Sequence, residues 1–456
     1  MSPSPPEVTG RLWAIAAITG SGAFMAMLDS TVVNLALETI RSDLDAPLSG
    51  VQWVATGYLI ALAVSLPLTG WLGRRLGNGR LWAGSVVVFV LASVLCAFAQ
   101  NLAFLIASRC LQGLAAGLMV PAGQAVLAAT ADRRQLGRLM GTVGFAVALG
   151  PALGPAFGGV LIDTASWRWL FLINVPVGIA VLIGARRHIS PGEKFSQNRV
   201  DTTGLVLIGL GLPLLLYGAA EIGSSNFNLL SLASAALGTG LSALFVVHAV
   251  RAREPLIDVG LLQRARFAAP VVTAGLTGAA MYGGLLLLPI FLQRSAGQTP
   301  SEAGLMLLAM GLGSAFVLPV AGMLTDRFGP RRVSLAGGAL LTLTTIPFLS
   351  SAPLASGTVA ILLLARGAGL ALAQMPAIAA AYGEVAKTKT GDAATLINIA
   401  QRLGGAIGAI AVVAVIEQVG ISASGTAYRI AFGMLVILSA GALFAATRMA
   451  VPEQQQ

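Results

Sequence analysis

GWLGRRLGNGRL, from Gly70 to Leu81, and GMLTDRFGPRRV, from Gly322 to Val333, are the two stretches on which the fold turns. Gly70 and Gly322, Leu72 and Leu324, Arg75 and Arg327, Gly77 and Gly329, and Arg80 and Arg332 stand at matching offsets, 252 residues apart. Each stretch closes one long apolar run and precedes another, so a basic loop between hydrophobic segments occurs twice. One position breaks the echo: the second loop has an acid, Asp326, where the first has a base, Arg74.

The apolar runs around these loops dominate the chain. Of 456 residues, 56% are hydrophobic and 10% charged, against roughly 25% charged in an ordinary soluble domain. Runs of about 18 to 25 apolar residues, each long enough to cross a bilayer core as a helix, recur about fourteen times. The first covers residues 12–37 and the last 427–447. Sustained polar/apolar alternation is absent, which excludes a membrane barrel, and backbone groups in continuous apolar runs satisfy one another only within helices. The fold class is therefore an all-α integral membrane protein with about fourteen transmembrane helices. The polar start MSPSPPEVTGR carries no basic region ahead of a short apolar core, so no cleaved signal peptide is expected.

A net charge of +10 raises the possibility of nucleic acid, but the placement of the charge argues against it. The basic residues collect in the tails and in loops of one side, with Arg41, Arg168, Arg294 and Arg429 near the other. Lys and Arg stay cytoplasmic during insertion, so both termini are expected in the cytoplasm. Cys96 and Cys110 lie within apolar spans without metal-ligand spacing and read as packing residues. No HExxH or Walker A pattern occurs, and no metal or cofactor is expected.

Repetition extends past the two loops. Arg109 stands early in the fourth span and Arg366 stands 257 residues later, while the glycine-rich GPALGPAFGG from Gly150 is matched by RLGGAIG from Arg402. These offsets predict two pseudo-symmetric six-helix bundles plus two inserted helices: residues 1–190, a two-helix insert with cytoplasmic linker at 191–252, and residues 253–456. The segment RAREPLIDVGLLQRARF at 251–267 reads as an amphipathic interfacial helix. Leu256, Ile257, Leu261 and Leu262 would lie against the membrane and Arg264 and Arg266 would face water.

Asp29, Arg109, Arg366 and Arg402 are the ionisable side chains well inside predicted spans. Each is costly in hydrocarbon unless it meets a partner or a wet cavity, which makes each a functional candidate. Asp29 is the acid among them, about 25 Å up its helix from Leu12. A desolvated carboxylate there can exchange a proton at physiological pH; the alternative is a structural acid paired with an arginine or capping a helix. Arg109 opens RCLQGLAAG, where Gln112, Gly113 and Gly117 follow on successive turns and the small residues admit a close neighbour. A pathway role and a structural tether to backbone carbonyls both remain open. Gly150, Gly154 and Gly158 repeat at i+4 with Pro151 and Pro155 behind the first two, a pliable helix suited to a gate.

These residues resemble the major facilitator superfamily, and specifically its fourteen-span drug:proton antiporters. MLDSTVVNLAL at 27–37 is similar to that family's first-span signature, WRWLFLINVPVG at 167–178 to its sixth, and EPLIDVGLL at 254–262 to the segment before its second half. The doubled Gly-Pro resembles the antiporter motif. The resemblance implies two bundles around a central site that opens alternately to each side, with proton entry driving export. It makes Asp29, Asn34, Glu38, Arg109 and Gln112 the proton-coupling and substrate candidates, Glu38 standing where the motif usually has proline.

Gly70, Arg74, Arg75, Gly77, Gly322, Asp326, Arg327, Gly329 and Asp392 form the implied cytoplasmic gate. In the family the loop's acid accepts bonds from the amino end of a helix in the opposite half; Asp326 can do this, with Arg327, Arg331 and Arg332 pairing with acids such as Asp132. Arg74 cannot. The helix facing it begins TGDAATLINIAQR, so Asp392 is its expected partner, the acid having moved from loop to helix.

The expected function is proton-coupled antiport of amphipathic drugs or antibiotics. Alternatives are an exporter of lipid-like or metabolic products, a proton-coupled importer of a small solute, and a non-transporting receptor or channel. Few intramembrane acids favour neutral or singly charged substrates. The expected partners are a small amphipathic molecule, protons and the lipid bilayer, with no nucleic acid and a monomeric chain. Abundant Ala, Gly and Arg point to a bacterial source, hence a bacterial cytoplasmic membrane.

Overall fold

The computed structural model describes residues 8–450 except 47, 133–134, 165, 193–200, 223–227, 253–254, 295–297, 299, 351–353 and 420–424. Helices account for nearly all of it: α1 (Gly10–Asp43), α2 (Leu48–Ser65), α3 (Leu68–Leu76), α4 (Asn78–Ala97), α5 (Leu102–Thr130), α6 (Leu136–Thr164), α7 (Trp169–Leu172), α8 (Asn174–His188), α9 (Thr202–Ile222), α10 (Leu229–Arg251), α11 (Ala265–Arg294), α12 (Pro300–Phe328), α13 (Pro330–Thr345), α14 (Ser356–Gly383), α15 (Thr390–Val419) and α16 (Thr426–Thr447). No strand occurs among the described residues. Among them eleven helices are long and apolar enough to cross a membrane, or twelve when the bent pair α2–α3 counts as one span. The stretches Leu136–Val147 of α6 and Thr202–Gly218 of α9 are shorter apolar helices, so the count of about fourteen depends on these two.

One expected span is broken among the described residues, at an identifiable place. The second bends by 58° between α2 and α3, at Leu66 and Pro67, where proline removes a backbone donor and crowds the preceding turn. The sixth runs through α7 and α8 as one apolar stretch, Trp169–His188, with Ile173 between them in helical conformation. Elsewhere side chains set the boundaries: Asn101 Oδ1 accepts from the Phe104 amide at 2.9 Å to start α5, and Asn228 with Ser231 closes a capping box on α10.

The pattern of helix contacts repeats. α1 packs on α6, α2 and α4 on α5, and α8 on α1 and α4; in the second half α11 packs on α15, α12 and α13 on α14, and α16 on α11 and α13. Large apolar side chains such as Leu91, Phe104, Phe316 and Ile361 point outward, as lipid-facing positions require. α9 and α10 pack on each other, and α9 also touches α2 and α15.

The halves meet through α6 with α12 and α3 with α15. At the end that carries the two loops, one apolar core crosses both halves, with Leu139, Met140 and Val143 in the same cluster as Leu318, Ala321 and Met375. At the opposite end each half has its own cluster, around Val33, Ile40 and Trp167 in one and around Leu288, Phe348 and Phe432 in the other.

The linker corrects an expectation. Leu256, Ile257 and Leu261 are buried in the protein core that includes Trp71 and Leu72, and the segment forms a short 3-10 turn at Val259–Gln263 rather than an interfacial helix. Leu256, Ile257 and Leu261 find protein to pack against, which a membrane surface would otherwise have supplied, whereas Leu262 stays exposed. Arg264 and Arg266 are exposed, as expected, and Glu254 lies outside the described residues.

Candidate functional site

Asp29 is buried on α1, and four side chains from three other helices converge on it and on one another. Arg109 of α5 donates to its Oδ2 at 2.5 Å, Gln112 of α5 donates to Oδ1 at 3.0 Å, and Asn174 at the start of α8 donates to Oδ1 at 3.2 Å. Ser93 of α4 accepts from both amides, at 2.7 Å from Gln112 and 3.2 Å from Asn174. Arg109 and Asp29 are both almost fully shielded from solvent, at 1% and 2% exposure. Removing two charges from water costs several kcal/mol each, which only pairing and further hydrogen bonds can offset.

Arg109 has more than one such partner. Its Nε donates to the Val54 carbonyl at 3.1 Å, its NH1 also donates to Gln112 Oε1 at 2.6 Å, and the guanidinium lies 4.2 Å from the centre of the Tyr58 ring. This fork geometry suits arginine rather than lysine. Gly113 lets α2 approach closely enough that a Cβ would fall 3.0 Å from Tyr58 Cα, so the small residue after Gln112 positions the ring beneath the cation.

The second half has the matching arginine without the acid. Arg366 is buried on α14 and donates to the Ala280 carbonyl at 2.9 Å and to Thr345 Oγ1, while its Nε has no partner. No carboxylate pairs with Arg366 among the described residues. The residue 252 positions after Asp29 is Met281, so the repeat keeps the cation and omits the anion.

The two loops form the other cluster. Asp326 accepts from the Gly137 amide at 3.0 Å, from the Arg138 amide at 3.2 Å and from Arg138 Nε at 2.8 Å, capping the amino end of α6 in the opposite half. Such helix ends favour anions. The reversed charge is answered symmetrically: Arg74 donates to Asp392 on the first turn of α15. The same guanidinium donates to the carbonyls of Pro255 and Leu256 at 3.3 and 3.2 Å. The Leu256 amide donates to Asp201, which also accepts from His248 of α10 at 2.8 Å, so the inserted helices are tied to the loop through one peptide segment. Lys389 pairs with Asp258 alongside.

The glycines shared by the loops now have separate reasons. A Cβ on Gly70 would strike the Asp392 carboxylate, and one on Gly322 would strike the Gly137 carbonyl; Gly137 in turn leaves only 2.7 Å between its ideal Cβ and the Gly322 carbonyl. Gly77 and Gly329 have φ of 88° and 84°, in the region that L side chains rarely adopt. Arg75 and Arg327 are exposed and stack over Trp71 and Phe328, outside the ion pairs.

A further bridge crosses the halves above the latches. Gln124 of α5 accepts from Tyr382 of α14 at 3.2 Å and from Asn398 of α15 at 3.0 Å.

Against this geometry, the family model described as Major Facilitator Superfamily matches residues 19–200 and 271–456. The chain belongs to the major facilitator superfamily.

This makes it a transporter, a multi-pass membrane protein rather than an enzyme. A protein named "Multidrug resistance protein B homolog" of Mycobacterium tuberculosis is 34% identical over 410 residues, 89% of this chain and 76% of the relative. The "Putative multidrug resistance protein MdtD" of Salmonella typhi is 33% identical over 360 residues, 77% of this chain and 74% of the relative. Among solved structures, the human organic anion transporter MFSD10 has a TM-score of 0.63 at 15% identity, covering 94% of this chain and 99% of its own. The proton:xylose symporter XylE has a TM-score of 0.62 at 14% identity, covering 94% of each chain. At these identities the two structures share the superfamily fold and no more.

Within this superfamily member, Asp29, Arg109 and Gln112 form one cluster, Gly70 and Arg74 meet Asp392 at one latch, and Gly322 and Asp326 meet α6 at the other. Arg402 lies on α15, near enough to act electrostatically on Tyr58 of the first cluster. The expected pairing of Asp132 with Arg327, Arg331 or Arg332 is absent among the described residues; the ion pair at that loop is Asp326 with Arg138.

Asn34 and Glu38 lie on α1 and Pro151, Gly154, Pro155 and Gly158 on α6, but their side-chain surroundings fall outside the described residues. Gly150 packs against α1, where a Cβ would sit 2.6 Å from Met27 Cβ. Asn174, Ser93, Tyr58 and Gln124 carry the polar network that sequence reasoning missed. Their signal is faint: one uncharged polar side chain each within an apolar run.

Proposed function

We propose that the chain exports amphipathic drugs or antibiotics across the bacterial cytoplasmic membrane in exchange for protons, by alternating access, with both termini cytoplasmic. The observation that carries this is the partner set of the buried Asp29–Arg109 pair. A proton on Asp29 would cancel its charge, yet Arg109 would keep the Val54 carbonyl, Gln112 Oε1 and the Tyr58 ring. Neutralising the acid therefore does not strand a bare buried cation, which is the usual obstacle to breaking such a pair. Proton binding can then loosen α1 from α5 and α8 without unfolding the bundle.

In this reading the six-helix units 1–190 and 253–456 rock about a central site, with 191–252 as an insert at their side. The conformation described is closed at the loop end, where Arg74–Asp392, Asp326–Arg138 and Gln124–Tyr382–Asn398 join the halves. Separate apolar clusters at the other end support a site that opens to the outside there. The names of the mycobacterial and Salmonella relatives favour drugs over other cargo.

The test is uptake of a cationic amphipathic dye into inverted membrane vesicles under an imposed proton gradient. The reading requires accumulation that collapses when the gradient is dissipated; accumulation indifferent to the gradient contradicts it.

A further inference from the structure

We propose that the cleft between α4 and α8 at the loop end binds an anionic phospholipid, its phosphate held by Arg80 and Arg186 and an acyl chain lying along the outer groove. The cavity measures about 410 Å³ and is lined by Arg80, Ala83, Val87, Leu182, Arg186 and Pro191 among others. None of its described lining residues is acidic. One end is therefore cationic and the remainder apolar, the division a phospholipid itself has.

Both arginines are exposed. Arg80 is steadied by its NH1 donating to the Leu76 and Gly192 carbonyls at 3.2 and 3.4 Å. Its remaining donors, and all of those of Arg186, have no protein partner among the described residues. Farther along the same two helices, Val87 and Leu91 of α4 and Ile179 and Ile183 of α8 are each more than 40% exposed, an outward apolar strip. A lone anion would use the arginines and leave this strip unused. A phospholipid fills both, and clusters of arginine at this level of a membrane attract anionic headgroups.

The cleft also touches the first loop. The Arg80 amide donates to the Pro191 carbonyl at 3.0 Å, and the same peptide segment packs on Gly77 and Gly79. A lipid seated there would brace the turn that positions Arg74. The leaflet follows from the orientation proposed above; the binding itself requires neither transport nor a proton gradient, so it stands or falls separately from the antiport reading.

The experiment uses the full-length protein in uncharged detergent, titrated with dioleoyl phosphatidylglycerol, dioleoyl phosphatidylcholine or inorganic phosphate and read by native mass spectrometry. Phosphatidylglycerol should be retained in preference to the other two. Retention should weaken about tenfold in the double variant Arg80→Gln/Arg186→Gln. It should weaken similarly in Val87→Trp, which fills the groove but keeps both charges and so guards against misfolding of the first variant. Arg264→Gln/Arg266→Gln, which removes two exposed charges elsewhere, should bind as the parent does. Equal retention of phosphatidylcholine, phosphate binding as tight as the lipid, undiminished binding in Arg80→Gln/Arg186→Gln, or the same loss in Arg264→Gln/Arg266→Gln would each overturn the proposal.

Discussion

Arg74 and Asp392 form an ion pair between the first loop and the amino end of α15, in the place where the second loop joins Asp326 to the amino end of α6. The two contacts obey one rule with opposite assignments, acid at a helix end and its partner across the interface. Arg74→Asp would set two carboxylates against each other, and transport should fall by about tenfold for each 1.4 kcal/mol lost from closure. Asp392→Arg on that background should recover part of the activity at equal expression. A double variant no better than Arg74→Asp alone would remove the pair from the latch.

The glycine contact between Gly322 and Gly137 leads to a different prediction. In Gly322→Val the added side chain meets the Gly137 carbonyl and sits where only 2.8 Å separates an ideal Cβ from Arg138 Cα. α6 and α12 must separate, so spin labels at positions 187 and 332 should report a longer and broader distance than in the parent. Unchanged distances with full transport would show that the close approach is dispensable.

Arg109 should not tolerate lysine. A single ammonium cannot reproduce bonds to Asp29, Gln112 and the Val54 carbonyl together with stacking on Tyr58. Arg109→Lys should abolish transport while the protein still folds. Arg109→Ala, which strands Asp29 in the interior, should lower stability by about 3–5 kcal/mol, read as a fall in melting temperature. Full transport by Arg109→Lys would reduce the arginine to a charge.

Asp201 makes the tether of α9 and α10 sensitive to pH. Burial works to raise its carboxyl, but hydrogen bonds from the Gly204 amide, His248 and the Leu256 amide outweigh it and hold the group below the usual carboxylate range. A depressed folded value stabilises the tether fully above about pH 4, and that contribution fades as pH falls through the folded value. Hydrogen exchange in α9 and α10 should therefore quicken only in acid in the parent, and already at pH 7 in Asp201→Asn. Identical exchange in the two proteins across that range would detach Asp201 from the tether.

Much of this was legible in the sequence because membrane insertion leaves a coarse record. Apolar runs of bilayer length mark helices, and the paired loops with Arg109 and Arg366 mark the repeat. Arg74 and Asp392 could be matched because each is a rare charge at a helix boundary. The bend at Pro67 had a local cause, yet continuous hydropathy concealed it. Leu256 and Ile257 were misread as lipid-facing because amphipathic spacing records that one side is buried, without recording whether lipid or protein buries it. Asn174 and Ser93 were missed because their meaning lies in convergence on Asp29 from α8 and α4, a relation between helices that no local pattern contains.

The central claim is the proposal that a proton carried by Asp29 is coupled to movement of the substrate. The most direct measurement is the pH of a weakly buffered solution of purified protein in detergent as a cationic amphipathic dye is added. The account predicts that dye binding releases protons from the parent and none from Asp29→Asn that still binds the dye. Dye binding to the parent without proton release, or equal release from both proteins, would contradict it.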